Sequence, residues 1–200
     1  MLRTARIVLW ALVAVAVAGA AVLLLRGSRE PQPAGQLALR EVGGPFTLVG
    51  GDGQPFPSTR LAGKPHVIFF GFTNCPDVCP NTLGRLVKLR GQLRAAGEDL
   101  QIVFVTVDPE RDGPKEVGAY SGLFGAPVIG LTGSPAQIAR VKQAYGVFSE
   151  KVPDGSGGYS VDHSATALLF GREGKFVATI APEEGDPPAL DKLRRITAGT

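Results

Sequence analysis

The sequence predicts a three-layer α/β sandwich behind a single N-terminal transmembrane helix. Strand and helix signals alternate along most of the chain and close with two strands and a helix. That order argues a largely parallel sheet with helices packed on it. The run His66–Phe72 is almost continuously apolar, as expected of a central strand covered on both faces. Ahead of these elements, Ile7–Leu25 carries no charge and as a helix would span about 28 Å, close to the bilayer core.

The 200 residues accommodate one membrane or targeting segment and one ordinary domain. An apolar content of 44% suits a foldable chain, and a domain of this size buries a core without staples. The net charge of +3 is small and its Lys and Arg are scattered, which argues against a nucleic-acid groove.

In chain order, residues 1–26 form the membrane anchor. Arg3 and Arg6 precede the apolar run and favour a cytoplasmic N-terminus, with Trp10 at interface depth. A cleaved signal peptide is the alternative, since Ala18-Gly19-Ala20 resembles a cleavage site. The apolar residues continue past it to Leu25 and exceed a usual signal core, which favours retention. Either way the remainder is exported, in a bacterial cell to the oxidising periplasm. Residues 27–36 contain Pro31 and Pro33 and form a linker. The globular domain takes up residues 37–200.

Phe46–Val49 is a short strand, Gly50–Gly53 a turn, and Pro55–Phe56 a second short strand. After His66–Phe72, Pro80 marks a helix start, because proline is favoured at the first helical position and restrains the residue before it. Cys79 is therefore expected near the N-cap, with Cys75–Val78 in a tight loop. The helix runs to about Ala96 on an apolar face of Leu83, Leu86, Val87, Leu89 and Leu93, and Gly97 ends it. Leu100–Asp108 is a second central strand and Pro109–Gly113 a loop. Pro114–Phe124 is a helix capped by Asp112 or Gly113, and Pro127–Leu131 a strand. Ser134-Pro135 is an N-cap and first-turn proline opening a helix to about Tyr145. Val147–Val152 is a strand or edge segment, and Pro153–Tyr159 a glycine-rich loop. Ser164–Phe170 and Lys175–Ile180 form a hairpin through Gly171–Gly174, and Pro187–Ala198 is a closing amphipathic helix.

Cys75 and Cys79 are the only cysteines. They sit where the first central strand gives way to a helix, a thioredoxin-like arrangement. A helix N-terminus favours a thiolate and lowers its pKa. A structural disulfide closing so short a loop would add little chain-entropy stabilisation. Disulfide exchange, peroxide reduction and metal ligation are the chemical uses. Exchange of the thioredoxin type uses two intervening residues, whereas three intervene here. The Pro-x3-Thr-x2-Cys pattern of peroxide reductases is absent. Two thiolates select soft ions, Cu(I) above all with Zn(II) as competitor. A third ligand would define a trigonal site. Of the two histidines, His66 starts the central strand, roughly 25–30 Å from the cysteines at about 3.3 Å per residue. It is expected at the surface or satisfied in the core. His163 lies where the glycine-rich loop meets the next strand. By spacing alone it is either a ligand or an ordinary surface histidine, and both readings stand.

Phe70-Gly71-Phe72-Thr73-Asn74-Cys75-Pro76-Asp77-Val78-Cys79-Pro80 resembles the signature of the Sco/SenC family. Val107–Asp112, Leu131–Ser134 and Tyr159–Ser164 resemble its further motifs, in the expected order. Asn74 departs from the pattern, standing where members often carry a histidine that is not a metal ligand. The resemblance implies a thioredoxin-like protein that binds Cu(I) or Cu(II) through Cys75, Cys79 and His163. It implies a metallochaperone delivering copper to the copper A centre of cytochrome c oxidase subunit II, or to another copper protein. The alternative is a thiol-disulfide oxidoreductase, with Cys75 and Cys79 as redox dithiol, keeping the target's cysteines reduced. An upstream copper donor or thiol reductant would serve either role. Asp77 and Asp162 flank ligands, and Asp108 ends a central strand. Each is a candidate to tune the ligands from behind, or else a loop charge or cap.

Overall fold

A computed structural model describes residues 42–97, 99–155 and 157–198, together with Arg3, Arg6, Trp10 and Gly19. Apart from Trp10 and Gly19, the expected anchor Ile7–Leu25 lies outside the described residues, as does the linker. Among the described residues no helix is long and apolar enough to cross a membrane.

The elements are β1 (Thr47–Gly50), β2 (Pro55–Pro57), a 3-10 turn (Ser58–Leu61), β3 (His66–Gly71), α1 (Val78–Ala95), β4 (Gln101–Thr106) and α2 (Pro114–Gly122). They continue with β5 (Ile129–Thr132), α3 (Pro135–Ala144), β6 (Ser149–Pro153), β7 (Tyr159–His163), β8 (Ala167–Phe170), β9 (Phe176–Ile180) and α4 (Asp186–Ala198). Seven strands form one sheet in the order β2-β1-β5-β4-β3-β8-β9, while β6 and β7 form a separate hairpin. The central pairs β3–β4 and β4–β5 are parallel, and β8 runs antiparallel on the other side of β3. Every residue of β3 is buried, as its continuous apolar character requires.

The steps β3→β4→β5 move one way across the sheet, so two right-handed crossovers place α1 and α2 on the same face. There Cys79 of α1 lies over Gly71, and Tyr120 of α2 tilts against Phe104 with ring centroids 5.0 Å apart. Helix α4 lies beside α1, tied by Arg85 and Lys88 to Asp186 at 2.7 and 3.1 Å. The opposite face is covered by α3, whose following residue Tyr145 packs against Phe46, Phe70 and Phe170. Three layers result, as expected. The capping box is present on α3: Gln137 N–H donates to Ser134 Oγ, and Ser134 N–H to Gln137 Oε1.

Most elements fall within about two residues of their expected bounds. Two differ in kind. Helix α1 starts at Val78, so Cys79 is its second residue rather than a cap, and Pro80 is its third. The N–H groups of a first turn have no partner within the helix, so proline at the third position forfeits no bond. The second difference lies around His163. Tyr159–His163 forms strand β7 paired with β6, in a register that sets Ser149 opposite His163 and Val152 opposite Ser160. The glycine-rich stretch is the tip of this hairpin, with Gly155 and Gly157 at φ +77° and +89°. Ser164–Thr166 then leads to β8.

His66 opens β3 at the end remote from the cysteines. It is buried, its Nδ1–H donates to the Lys64 carbonyl at 2.9 Å, and its ring stacks on Phe170 at 5.0 Å. It is thus a satisfied core histidine. Burial lowers its pKa, partly offset by the Lys64 hydrogen bond. The unfolded chain therefore takes up this proton first on acidification. The contribution is complete above about pH 6.5 and is lost as pH falls below that value. Denaturant titrations of the apo domain should give a lower stability at pH 5.5 than at pH 7.5. His66→Phe should shrink that difference, and an unchanged difference would contradict the assignment.

Candidate metal centre

Cys75, Cys79 and His163 come from three separate places. Cys75 is half-buried on the loop after β3, Cys79 is fully buried in the first turn of α1, and His163 ends β7. Their ligand atoms all lie within 4.8 Å of one another, the one such cluster of three among the described residues. Cys79 Sγ stands 3.5 Å from His163 Nε2. Both cysteines are free thiols.

The loop is built from its own chain. Cys75 N–H donates to the Phe72 carbonyl at 3.3 Å, closing a turn. The N-cap residue Asp77 makes no side-chain cap. Cys75 Sγ takes that role instead, accepting from the Cys79 N–H at 3.4 Å. One sulfur thereby sits on the amide of the residue that carries the other. Gly71 lies directly beneath: a Cβ there would stand 2.8 Å from Cys79 Sγ and 3.0 Å from the Phe104 ring. Only glycine lets Cys79 sink onto the strand.

His163 is held by its backbone and by rings. Its Nδ1–H donates to the Ser164 carbonyl at 3.1 Å, because a carbonyl can only accept. That fixes the tautomer and leaves the Nε2 lone pair facing Cys79. The edges of Phe69 and Phe72 flank the imidazole, with centroids 6.3 and 5.8 Å away. Burial lowers the His163 pKa, with the Ser164 bond and the Asp162 charge opposing. The imidazole therefore stays neutral, and able to ligate, below the ordinary histidine range.

The expected lowering of a helix-terminal thiol does not hold for Cys79. Burial pushes this thiol well above its ordinary value, outweighing hydrogen bonding from the Phe72 backbone, and the neighbouring Cys75 and Asp112 push the same way. A sulfur with no solvent exposure has lost more in hydration than the helix end returns. Tyr120 shares this dry interior: its hydroxyl is buried without a hydrogen-bond partner.

Of the three flanking carboxylates, Asp77 is exposed and accepts from Asn81 Nδ2 at 2.5 Å. Asp162 is exposed on the outer side of β7, while its neighbours Val161 and His163 face the domain. Asp108 is buried. Its carboxylate accepts from Arg111 Nε at 2.5 Å and from the Tyr159 hydroxyl at 2.9 Å.

Sequence reasoning gave Asp112 no more than a capping role. Gly113 is the cap, and the Asp112 carboxylate turns inward, 1% exposed. It accepts from Thr73 N–H at 2.9 Å, Thr73 Oγ1 at 2.6 Å and Thr106 Oγ1 at 2.6 Å. Its own carbonyl accepts from Thr132 Oγ1 at 2.6 Å. Thr73, two residues before Cys75, is thereby pinned to the ends of β4 and β5. The available signal was a threonine at or just beyond the end of each parallel strand.

Two thiol sulfurs and a neutral imidazole form a soft donor set. An ion with metal–sulfur bonds of about 2.3 Å would bring such donors to about 4 Å apart, close to the spacing already present. Fold and site together define a thioredoxin-like protein whose dithiol is completed by a distant histidine. The family model described as SCO1/SenC matches residues 34–198. A protein of Stutzerimonas stutzeri named for copper binding is 41% identical over 74% of this chain and 72% of its own. The structure of Bradyrhizobium japonicum ScoI with copper bound is 37% identical, covering 78% of this chain and 99% of that one at a TM-score of 0.70. BsSco, named as a member of the Sco family of cytochrome c oxidase assembly proteins with a disulfide switch, is 25% identical. It covers 81% of this chain and 96% of its own at a TM-score of 0.65. The chain belongs to the SCO1/SenC family.

Two outcomes follow from this geometry. Gly71→Ala should lower Cu(I) affinity in chelator competition and destabilise the domain by about 1–3 kcal/mol, since Cys79 and Phe104 must shift. Wild-type affinity would mean the sulfur moves freely. Asp112→Ala should cost about 3 kcal/mol or more in urea denaturation, because it leaves the buried Thr106 hydroxyl and the half-buried Thr73 amide and hydroxyl without their acceptor. A loss under 1 kcal/mol would show that the carboxylate is not the tie described.

Proposed function

We propose that this protein is a membrane-anchored copper metallochaperone, with copper held as cargo by Cys75, Cys79 and His163. The observation that carries the proposal is the convergence of two free thiols and a lone-pair-bearing Nε2 within 4.8 Å. The copper-bound ScoI structure and the copper-binding relative support the choice of metal. The cargo's destination is the copper A centre of cytochrome c oxidase subunit II. That reading extends to this chain the assembly role named for BsSco. Residues 1–26 would anchor the protein as a single span of a bacterial inner membrane. Residues 27–36 would tether the domain 37–200 on the periplasmic side, where the oxidase's exported copper domain lies within reach.

The residues divide the work of loading. The Cys79 proton is held by a buried sulfur and must leave as copper enters, so uptake releases protons and weakens as pH falls. His163 is already neutral and its Nε2 is already aimed at the site, so it needs no prior deprotonation. Cys75, half-buried, is the sulfur an incoming donor or outgoing acceptor reaches first. Release by ligand exchange would begin from that side.

A thiol-disulfide role is the second reading, supported by the two free thiols held close together and by the disulfide switch named for BsSco. It requires no histidine. His163→Ala is therefore expected to reduce Cu(I) affinity about tenfold or more and to remove the nitrogen scatterer from the X-ray absorption spectrum of the loaded protein. It should leave the Cys75–Cys79 dithiol able to form and reduce its disulfide. If the variant binds Cu(I) as tightly as wild type, the ligand assignment fails. If it supports oxidase assembly at low copper, the dithiol reading replaces the chaperone one.

A further inference from the structure

The hairpin β6–β7 stands outside the seven-stranded sheet, so no sheet register fixes where His163 falls. Among the described residues of its two strands Val161 is the one buried side chain. Something else must set its position. On β7, Tyr159, Val161 and His163 share the inward face by the two-residue period of a strand. Tyr159 is thus the far end of a stiff segment about 13 Å long whose near end is the imidazole.

At Tyr159 the hairpin is clamped from three directions by the loop Val107–Asp112. Arg111 Nη1 donates to the Tyr159 carbonyl at 2.8 Å. The guanidinium lies over the Tyr159 ring at 3.8 Å, well inside cation–π range. The Tyr159 hydroxyl donates to Asp108 Oδ1, whose other oxygen holds Arg111 Nε. The Asp108 side chain of this pair has no exposure and the Arg111 side chain 28%. Arg111 Nη2 is buried with no hydrogen-bond partner, a cost that a purely ornamental ion pair would avoid by staying in water. Lys151 of β6 also lies 4.6 Å from the Tyr159 centroid and pairs with Glu110 at 2.6 Å. The same guanidinium also faces the Phe72 ring at 6.0 Å, and Phe72 flanks His163. Among the described residues no hydrogen bond joins the side chains of Arg111, Asp108 or Tyr159 to the three ligand atoms.

We infer that Arg111 is a positioning residue: seated on Asp108, it grips Tyr159 and so holds the hairpin where His163 completes the metal site. Weakening the grip frees His163 and leaves a two-thiolate site. The inference rests on the copper-site reading above. It assigns to Asp108 a role in placing the third ligand rather than in contacting copper.

The test is a double-mutant cycle on the full chain, read by Cu(I) chelator competition. Arg111→Met keeps the length and apolar stem but removes the donors and the charge. It should weaken Cu(I) binding about tenfold when His163 is present and less than twofold in the His163→Ala background. X-ray absorption of Arg111→Met should show a reduced nitrogen contribution with both sulfurs retained. Tyr159→Phe, which removes one hydrogen bond and keeps the ring, should give a smaller loss in the same sense. It also serves as the folded control should Arg111→Met prove unstable. Equal losses in both backgrounds would make Arg111 a general structural residue and overturn the inference while leaving the copper site intact. Wild-type affinity in Arg111→Met or Tyr159→Phe would overturn it as well. If His163→Ala itself binds copper normally, the copper-site reading fails and the inference falls with it, an outcome distinct from the others.

Discussion

The buried carboxylate of Asp112 is the constraint on which the rest of the site depends. Removing an ionised carboxylate from water is expensive, and it is tolerated only where donors replace the lost hydration. Here the donors are Thr73 and Thr106, which belong to the ends of two neighbouring parallel strands, while Thr132 on the third bonds the residue's carbonyl. Satisfying one charge therefore draws the carboxyl-terminal ends of β3, β4 and β5 together. The loop bearing Cys75 leaves β3 from a fixed point as a result. In open α/β sheets that edge is where sites gather. The carboxylate's hydrogen bonds supply the local force that holds that edge together.

Packing and electrostatics oppose each other at Cys79. The helix end favours a thiolate there, yet the sulfur is set directly onto Gly71 with no exposure to solvent. Burial dominates because the dipole of a helix is worth about a kcal/mol or two, whereas dehydration of an anion costs several. A thiol kept protonated resists oxidation, since the thiolate is the reacting form. A soft cation restores charge balance to the buried sulfur and replaces its proton. Cys79 is thus the shielded sulfur of the pair, whereas Cys75 is half-buried.

Sequence pattern reached the sheet, the helices and the cysteine loop because these follow from periodicity and from turn chemistry. The buried run His66–Phe72 and the capping residues Ser134-Pro135 are local statements, legible without knowing what lies opposite. The start of α1 was displaced because Pro80 satisfies helix geometry at the third position as well as at the first. Strand β7 was hidden because its alternation, Tyr159-Ser160-Val161-Asp162-His163, is short and mostly polar. Its partner across the hairpin is also polar, so neither strand carries the apolar signal of the main sheet. Asp112 and Arg111 lay beyond sequence reasoning for a different reason. A charged residue in a loop reads as solvated, and only tertiary structure reveals that its partners, Thr73 or Tyr159, come from tens of residues away.

The two ends of the site are consequently held by different physics. The cysteines rest on the core: Gly71, Phe104 and the Asp112 tie lie in its buried interior. His163 sits on a hairpin secured by an aromatic–guanidinium clamp at its far end, with a single buried side chain among the described residues of its two strands. If the three residues hold copper as proposed, a dithiol on the core with a separately held histidine could change its coordination without disturbing the fold. Binding as proposed would require that His163 be in place, whereas transfer would require that a ligand let go. The same arrangement explains why a dithiol chemistry independent of His163 is available on one scaffold. The two sulfurs are held close to one another by the Cys79 N–H bond to Cys75 Sγ, to which the hairpin contributes nothing.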